Sequence, residues 1–117
     1  MYNKILFPTD GSDESAAVLE HAVDLAKRYD ATLEGLFVGD QRSYAGMAAD
    51  MDREQIREAQ TEIGEKALDR VRSAGESEGV DVATTQSVGV PADEILEVAD
   101  EDDVDLVVMG THGRTGI

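Results

Sequence analysis

The sequence predicts an open α/β domain with a parallel sheet and helices on both of its faces. Three observations carry this. Short apolar runs alternate with amphipathic helical stretches in the order β-α-β-α-β-α-β, and that alternation means parallel strands joined by right-handed crossovers. The first and last runs, Ile5-Leu6-Phe7 and Leu106-Val107-Val108-Met109, are apolar without interruption, as strands covered on both faces are. The 117 residues suffice for one compact domain, placed at 1–117, and are too few for two. No internal repeat or low-complexity linker divides them.

The elements follow in order. Lys4-Ile5-Leu6-Phe7-Pro8 is a strand closed by the turn Pro8-Thr9-Asp10-Gly11. Ser12 is placed to cap the next helix, and Asp13 and Glu14 put negative charge in its first turn. Val18, Ala22, Leu25, Ala26 and Tyr29 recur at helical spacing, and Lys27 and Arg28 suit the negative end of that helix. Ala31 to Val38 is a second strand ended by Gly39-Asp40. Residues 41–51 have no clean period and read as a loop or frayed segment.

Residues 52–74 form a long helix with Ile56, Ala59, Ile63, Ala67, Val71 and Ala74 on one stripe. Gly64 inside it costs about 1 kcal/mol relative to Ala, and Gly75 and Gly79 end it. Val80, Val82, Thr84, Gln86, Val88 and Val90 alternate with other residues, which predicts a strand with one wet face at a sheet edge. Pro91 opens a short helix with Ile95, Leu96, Val98 and Ala99 on its apolar side. Glu101-Asp102-Asp103 reads as a solvated acidic turn, and Asp105 to Met109 as the fourth strand.

Composition narrows the function classes. Apolar residues make up 41% and aromatics 4%, with no Trp, so the core is aliphatic. No run reaches the ~20 apolar residues of a membrane-spanning helix. The start of the chain has no basic stretch followed by a long apolar segment and a small-residue cleavage site, and there is no cysteine for a disulfide scaffold or thiolate metal site. The expected location is the cytoplasm. Asp and Glu number 26 against 10 Lys and Arg, a net charge of −16. Such a surface repels nucleic acid and anionic membranes. The acids are interleaved with apolar residues rather than gathered in a tail. A folded chain that tolerates this self-repulsion suits a salt-adapted, halophilic setting, because at ~1 M salt the Debye length is about 3 Å.

In open α/β sheets, ligands bind beyond the carboxyl ends of the strands, where strand order reverses. Two unusual loops lie at such ends. Gly110-Thr111-His112-Gly113-Arg114-Thr115-Gly116 follows the fourth strand. Its glycines let backbone N–H groups approach and enclose an anion, Arg114 adds a positive charge, and Thr111 and Thr115 add hydroxyls. The plainer reading is a glycine-rich turn that ends a strand. Pro8-Thr9-Asp10-Gly11-Ser12 follows the first strand. Its carboxylate suits ribose hydroxyls or an adenine amine better than phosphate, although Asp-Gly is also a common turn pair. If the first and fourth strands are neighbours, both loops border one crevice that suits a nucleotide, with base and sugar near Asp10 and phosphates near Gly113 and Arg114.

Three separated segments together resemble the universal stress protein family. They are Ile5-Leu6-Phe7-Pro8-Thr9-Asp10-Gly11-Ser12, then Val88-Gly89-Val90-Pro91-Ala92-Asp93-Glu94-Ile95-Leu96, then Asp105-Leu106-Val107-Val108-Met109-Gly110-Thr111-His112-Gly113-Arg114-Thr115-Gly116. The resemblance covers essentially the whole chain. It implies strand order 3-2-1-4-5 and a homodimer. ATP-binding members carry Gly-x-x-Gly, nine residues, then Gly followed by Ser or Thr. Gly110 and Gly113 match the first half; the second half would begin at position 123, and the fifth strand and last helix would also lie past Ile117, leaving order 3-2-1-4 here. The resemblance implies ATP as the ligand, with Mg²⁺ or Mn²⁺ bridging its phosphates. It places Pro8, Thr9 and Asp10 on the adenosine side and Val38 at the adenine through its backbone. Met109, Gly110 and Gly113, with His112 and Arg114 from the same loop, fall on the ribose and phosphate side.

Other features read more plainly. His112 has no second His or carboxylate near it in sequence, His21 being on the first helix, so it is not read as catalytic or metal-binding. No Gly-x-Ser-x-Gly surrounds Ser12. Met47 and Met51 suit packing or a loop, and Tyr44 would cover the ligand only if residues 41–51 fold over the site. The acids at 100–103 lack calcium-loop spacing. No Gly-x-x-x-x-Gly-Lys occurs, and a phospho-accepting receiver would need an Asp where the third strand ends in Val88-Gly89. The expected function is therefore ATP binding in a stress-response or regulatory role, with at most slow hydrolysis and no catalytic or metal-ligating residue. The alternative is a nucleotide-free dimeric interaction protein of the same fold.

Overall fold

The computed structural model describes residues 2–40 and 52–110. Within them the order is β1 (Lys4–Thr9), α1 (Asp13–Tyr29), β2 (Thr32–Gly39), α2 (Arg53–Glu76), β3 (Val82–Val88), α3 (Pro91–Glu101) and β4 (Leu106–Val107). The strands form one parallel sheet in the order β3-β2-β1-β4. The expected α/β class and strand order both hold. Among the described residues, no helix is long and apolar enough to cross a membrane.

Alternation along β2 divides the core. Leu33 joins Ile5, Phe7, Val23 and Val71 on the α1 and α2 side. Leu36 joins Leu6 and Val98 on the α3 side. Helices therefore cover both faces. Ser12 caps α1 as expected, its hydroxyl accepting from Ser15 N–H at 3.2 Å. The helix ends on Asp30, whose left-handed backbone turns its N–H onto the Ala26 and Lys27 carbonyls. Helix α2 starts at a capping box that the sequence reading passed over. Asp52 accepts from Gln55 N–H at 2.8 Å, and the Gln55 side chain accepts from Asp52 N–H at 3.0 Å.

Three details differ from the sequence reading. The buried face of α2 is Gln60, Gly64, Ala67, Leu68, Val71 and Gly75, whereas Ile63 is 39% exposed. The stripe is rotated because glycine at 64 and 75 lets the helix axis approach the sheet. The fourth strand spans two residues rather than five and is not covered on both faces. It pairs only with β1 among the described residues, and Val107 and Met109 remain 38% and 51% exposed. The acidic turn is not wholly solvated: Asp102 is half-buried.

Pro8 belongs to β1 rather than to the following turn. A proline in a central strand normally forfeits a ladder bond. Here the Lys4 and Leu6 carbonyls accept from Asp105 and Val108 N–H at 2.9 Å each, so even-numbered residues of β1 face β4. Pro8 shares that register just past the end of β4, where its missing N–H costs little.

Candidate functional site

A cleft of about 370 Å³ opens at the carboxyl ends of β1, β2 and β4, within the usual range for small-molecule sites. Pro8, Thr9 and Asp10 line it from the end of β1, and Leu36, Phe37, Val38 and Asp40 from β2. Ser12, Glu14 and Ser15 come from the start of α1, Pro91 and Ile95 from the start of α3, and Met109 and Gly110 from the end of β4. The pairing of β1 with β4 brings the outer two segments together. Six residues expected at the site thus share one cleft: Pro8, Thr9, Asp10, Val38, Met109 and Gly110. The other three, His112, Gly113 and Arg114, lie outside the described residues, as do Thr111, Thr115, Tyr44, Met47 and Met51.

The loop after β1 is held by its own side chains. Thr9 Oγ1 donates to Ser15 Oγ at 3.1 Å, and Ser15 Oγ donates to Asp10 Oδ1 at 3.1 Å. Asp10 Oδ1 also accepts from Ser12 N–H at 2.9 Å. The turn-forming role of Asp10 is therefore present, and the same bonds fix its carboxylate at the cleft. Gly11 has φ of +81°, a left-handed conformation that disfavours any side chain. Arg70 on α2 reaches over to donate to the Gly11 carbonyl at 3.2 Å.

The β1–β2 ladder ends at the cleft. Thr32 N–H donates to the Asn3 carbonyl at 3.0 Å, so even-numbered residues of β2 face β1. By that alternation, Gly11 N–H is the donor that would continue the ladder to the Val38 carbonyl. It donates instead to Thr9 Oγ1 at 3.1 Å. The backbone at Val38 therefore meets the cleft where β1 turns away.

Chemically the cleft has an apolar slot (Pro8, Leu36, Val38, Ile95, Met109) beside a rim of hydroxyls and carboxylates (Thr9, Asp10, Ser12, Glu14, Ser15, Asp40). No Lys or Arg is among its described lining residues. Nor do the described residues contain a cluster of three His, Cys, Asp or Glu able to hold a metal ion. Sequence reasoning did not single out Glu14, Ser15, Leu36, Phe37, Asp40, Pro91 or Ile95 for the site. Their common signal is position: each ends a strand of the sheet or starts the helix after one.

The geometry defines an open parallel α/β domain with a small-molecule cleft where its strand order reverses. A profile of the universal stress protein family matches residues 1–117, and the chain belongs to that family. It is 42% identical over 117 residues to universal stress protein MJ0531 of Methanocaldococcus jannaschii, covering all of this chain and 69% of that one. A universal-stress-family protein from Burkholderia pseudomallei superposes with a TM-score of 0.82 at 28% identity, covering 95% of this chain and 83% of that one. A universal stress protein solved in complex with cAMP superposes with a TM-score of 0.68 at 31% identity, covering 96% and 78%.

Proposed function

We propose that this chain is an ATP-binding regulatory protein of the stress response. The cleft at the carboxyl ends of β1, β2 and β4 carries the reading, because it pairs an apolar slot with a polar rim. Adenine fits the slot between Pro8, Val38, Ile95 and Met109, with its amino group within reach of the Val38 backbone. Ribose hydroxyls fit the Asp10 carboxylate, held in place by Ser12 and Ser15. Phosphates then extend past Gly110 toward Gly113 and Arg114, with His112 between them in sequence. The relative solved with cAMP supports an adenine nucleotide as the ligand class. Among the described residues the rim's hydroxyls and carboxylates form no metal cage, and Mg²⁺ or Mn²⁺ would be held by the phosphates. The chain acts as a cytoplasmic homodimer in a salt-rich interior, and ATP binding biases its conformation or assembly.

Calorimetric titration with ATP and adenosine tests this. Both should bind with one site per chain, and Arg114→Ala should weaken ATP more than adenosine. Equal losses would remove Arg114 from the phosphate side. If neither ligand gives heat and the gently purified protein carries no adenine nucleotide by mass spectrometry, the nucleotide-free interaction protein is the better reading.

A further inference from the structure

We propose that Ser15 is the positioning residue through which the cleft discriminates an intact ribose diol from a deoxy sugar. The inference rests on the placement of ribose at Asp10 under the proposed function. Asp10 is exposed at the end of β1, and an exposed side chain loses rotamer freedom when a ligand immobilises it. Here that freedom is already restricted. Ser12 N–H and Ser15 Oγ both donate to Asp10 Oδ1, at 2.9 and 3.1 Å, so two residues hold the carboxylate by one oxygen and set its plane.

The Ser15 hydroxyl takes no part in capping its own helix. Ser15 is the third residue of α1, the position where a capping box carries Glu or Gln reaching back to the N–H of the cap residue. In α1 the N–H of Ser12 goes to Asp10 instead, and Ser15 contributes its backbone N–H to Ser12 Oγ at 3.2 Å. An alanine at 15 keeps that backbone bond, and alanine is the best helix former. It loses only what the hydroxyl does at the cleft.

The direction of the hydrogen bonds there is fixed by chemistry. A carboxylate only accepts, so the single Ser15 proton goes to Asp10, and the Thr9–Ser15 contact at 3.1 Å uses the Thr9 proton. Thr9 Oγ1 in turn accepts from Gly11 N–H at 3.1 Å. Donors therefore run one way, from the Gly11 backbone through Thr9 and Ser15 to the carboxylate, and in such a chain each bond strengthens the next. Thr9, Asp10 and Ser15 all line the cleft. The 2′- and 3′-hydroxyls of ribose are donors that match this acceptor. A site built to hydrogen-bond a ligand hydroxyl discriminates strongly against the analogue that lacks it.

The test is calorimetric titration of the intact chain with ATP and with 2′,3′-dideoxy-ATP, which carries the same base and charge. The parent should bind ATP about tenfold more tightly than the analogue. Ser15→Ala should keep the parent's melting temperature, bind the analogue as the parent does, and lose most of that preference. Ser15→Thr, which retains the hydroxyl, should restore it. Equal weakening of both ligands in Ser15→Ala, or a preference that survives the substitution, overturns the positioning role and leaves the nucleotide reading standing. Should Ser15→Ala not fold, Ser15→Cys, of similar size but a weak donor, carries the same expectations. A parent that binds ATP and the analogue equally removes ribose from Asp10 and this proposal with it; a parent that binds neither removes the nucleotide reading as well.

Discussion

Asp105 ties together two strands that are far apart in sequence. Its Oδ2 accepts from Asn3 N–H at 2.7 Å and from Lys4 N–H at 3.0 Å, so the start of β1 is pinned to the entry of β4. These two backbone donors hold the Asp105 carboxyl below its ordinary value of 3.8. A group depressed in the folded state stabilises the fold above its unfolded pKa, and that contribution is lost as pH falls through the folded one. Asp105→Asn should therefore melt at a lower temperature than the parent at neutral pH, and the two melting curves should converge as the pH falls below 3.8. A constant gap across the whole range would mean the loss comes from packing rather than charge. The sequence showed Asp105 only as the polar residue before an apolar run. Glu34 was equally visible, the one acid inside the run from Ala31 to Val38, yet nothing local names its partner. Its hydrogen-bond donor, Thr85 on β3, lies beyond the whole of α2, and only the fold brings the two together.

Helix α2 shows why element type was easier to read than element orientation. Helical spacing, the charged outer face and Pro or Gly boundaries placed every described helix and strand to within a few residues. The face that α2 buries was harder, because hydrophobicity favoured Ile63 while geometry favoured Gly64. A Cβ at Gly64 would stand 2.6 Å from Gln86 Oε1 and 2.7 Å from Phe37 Cδ2, so the helix can rest on β2 and β3 only where this side chain is missing. The balance for Gly64→Ala follows. Better helix propensity contributes about 1 kcal/mol, and overpacking a close-fitted interface costs about 1–3 kcal/mol. Gln86 can swing away, but Phe37 is buried and cannot. A net loss of about 1 kcal/mol is expected by urea unfolding; a stabilised variant would show that the interface has slack. Gln60 makes the same point from the polar side. It is buried beside Gly39 with no hydrogen-bond partner for its Nε2 among the described residues, a placement that no period in the sequence foretells. The cleft was legible in outline because its two ends are marked by unusual loops. Its floor and far wall, Leu36, Pro91 and Ile95, carry ordinary core residues that become a site only through the strand order.

At the scale of the whole molecule, the charge of −16 governs both stability and ligand approach. Described ion pairs such as Lys27–Glu78 at 2.9 Å, Arg28–Asp24 at 3.1 Å and Lys66–Glu62 at 3.7 Å are exposed, and pairs of that kind contribute about 0.2–1 kcal/mol each. Screening removes their small attraction together with the repulsion among the surplus acids, and the surplus is the larger effect. Melting temperature should therefore rise with NaCl. The rise should be steepest below roughly 0.5 M and flatten as the Debye length shrinks from about 10 Å at 0.1 M toward 3 Å at 1 M. A rise that stays linear to high concentration, and is stronger in sulfate, would point to solvent exclusion instead. The same field acts on ATP. The described rim of the cleft offers carboxylates and no Lys or Arg, so an anion approaches against the net potential, and in Mg²⁺-free buffer the association constant for ATP should increase with salt. Mg²⁺ at millimolar concentration should reproduce that gain in dilute buffer by neutralising the phosphates, while adenosine, which carries no charge, should respond to neither. Tighter ATP binding in dilute buffer would overturn the screening argument.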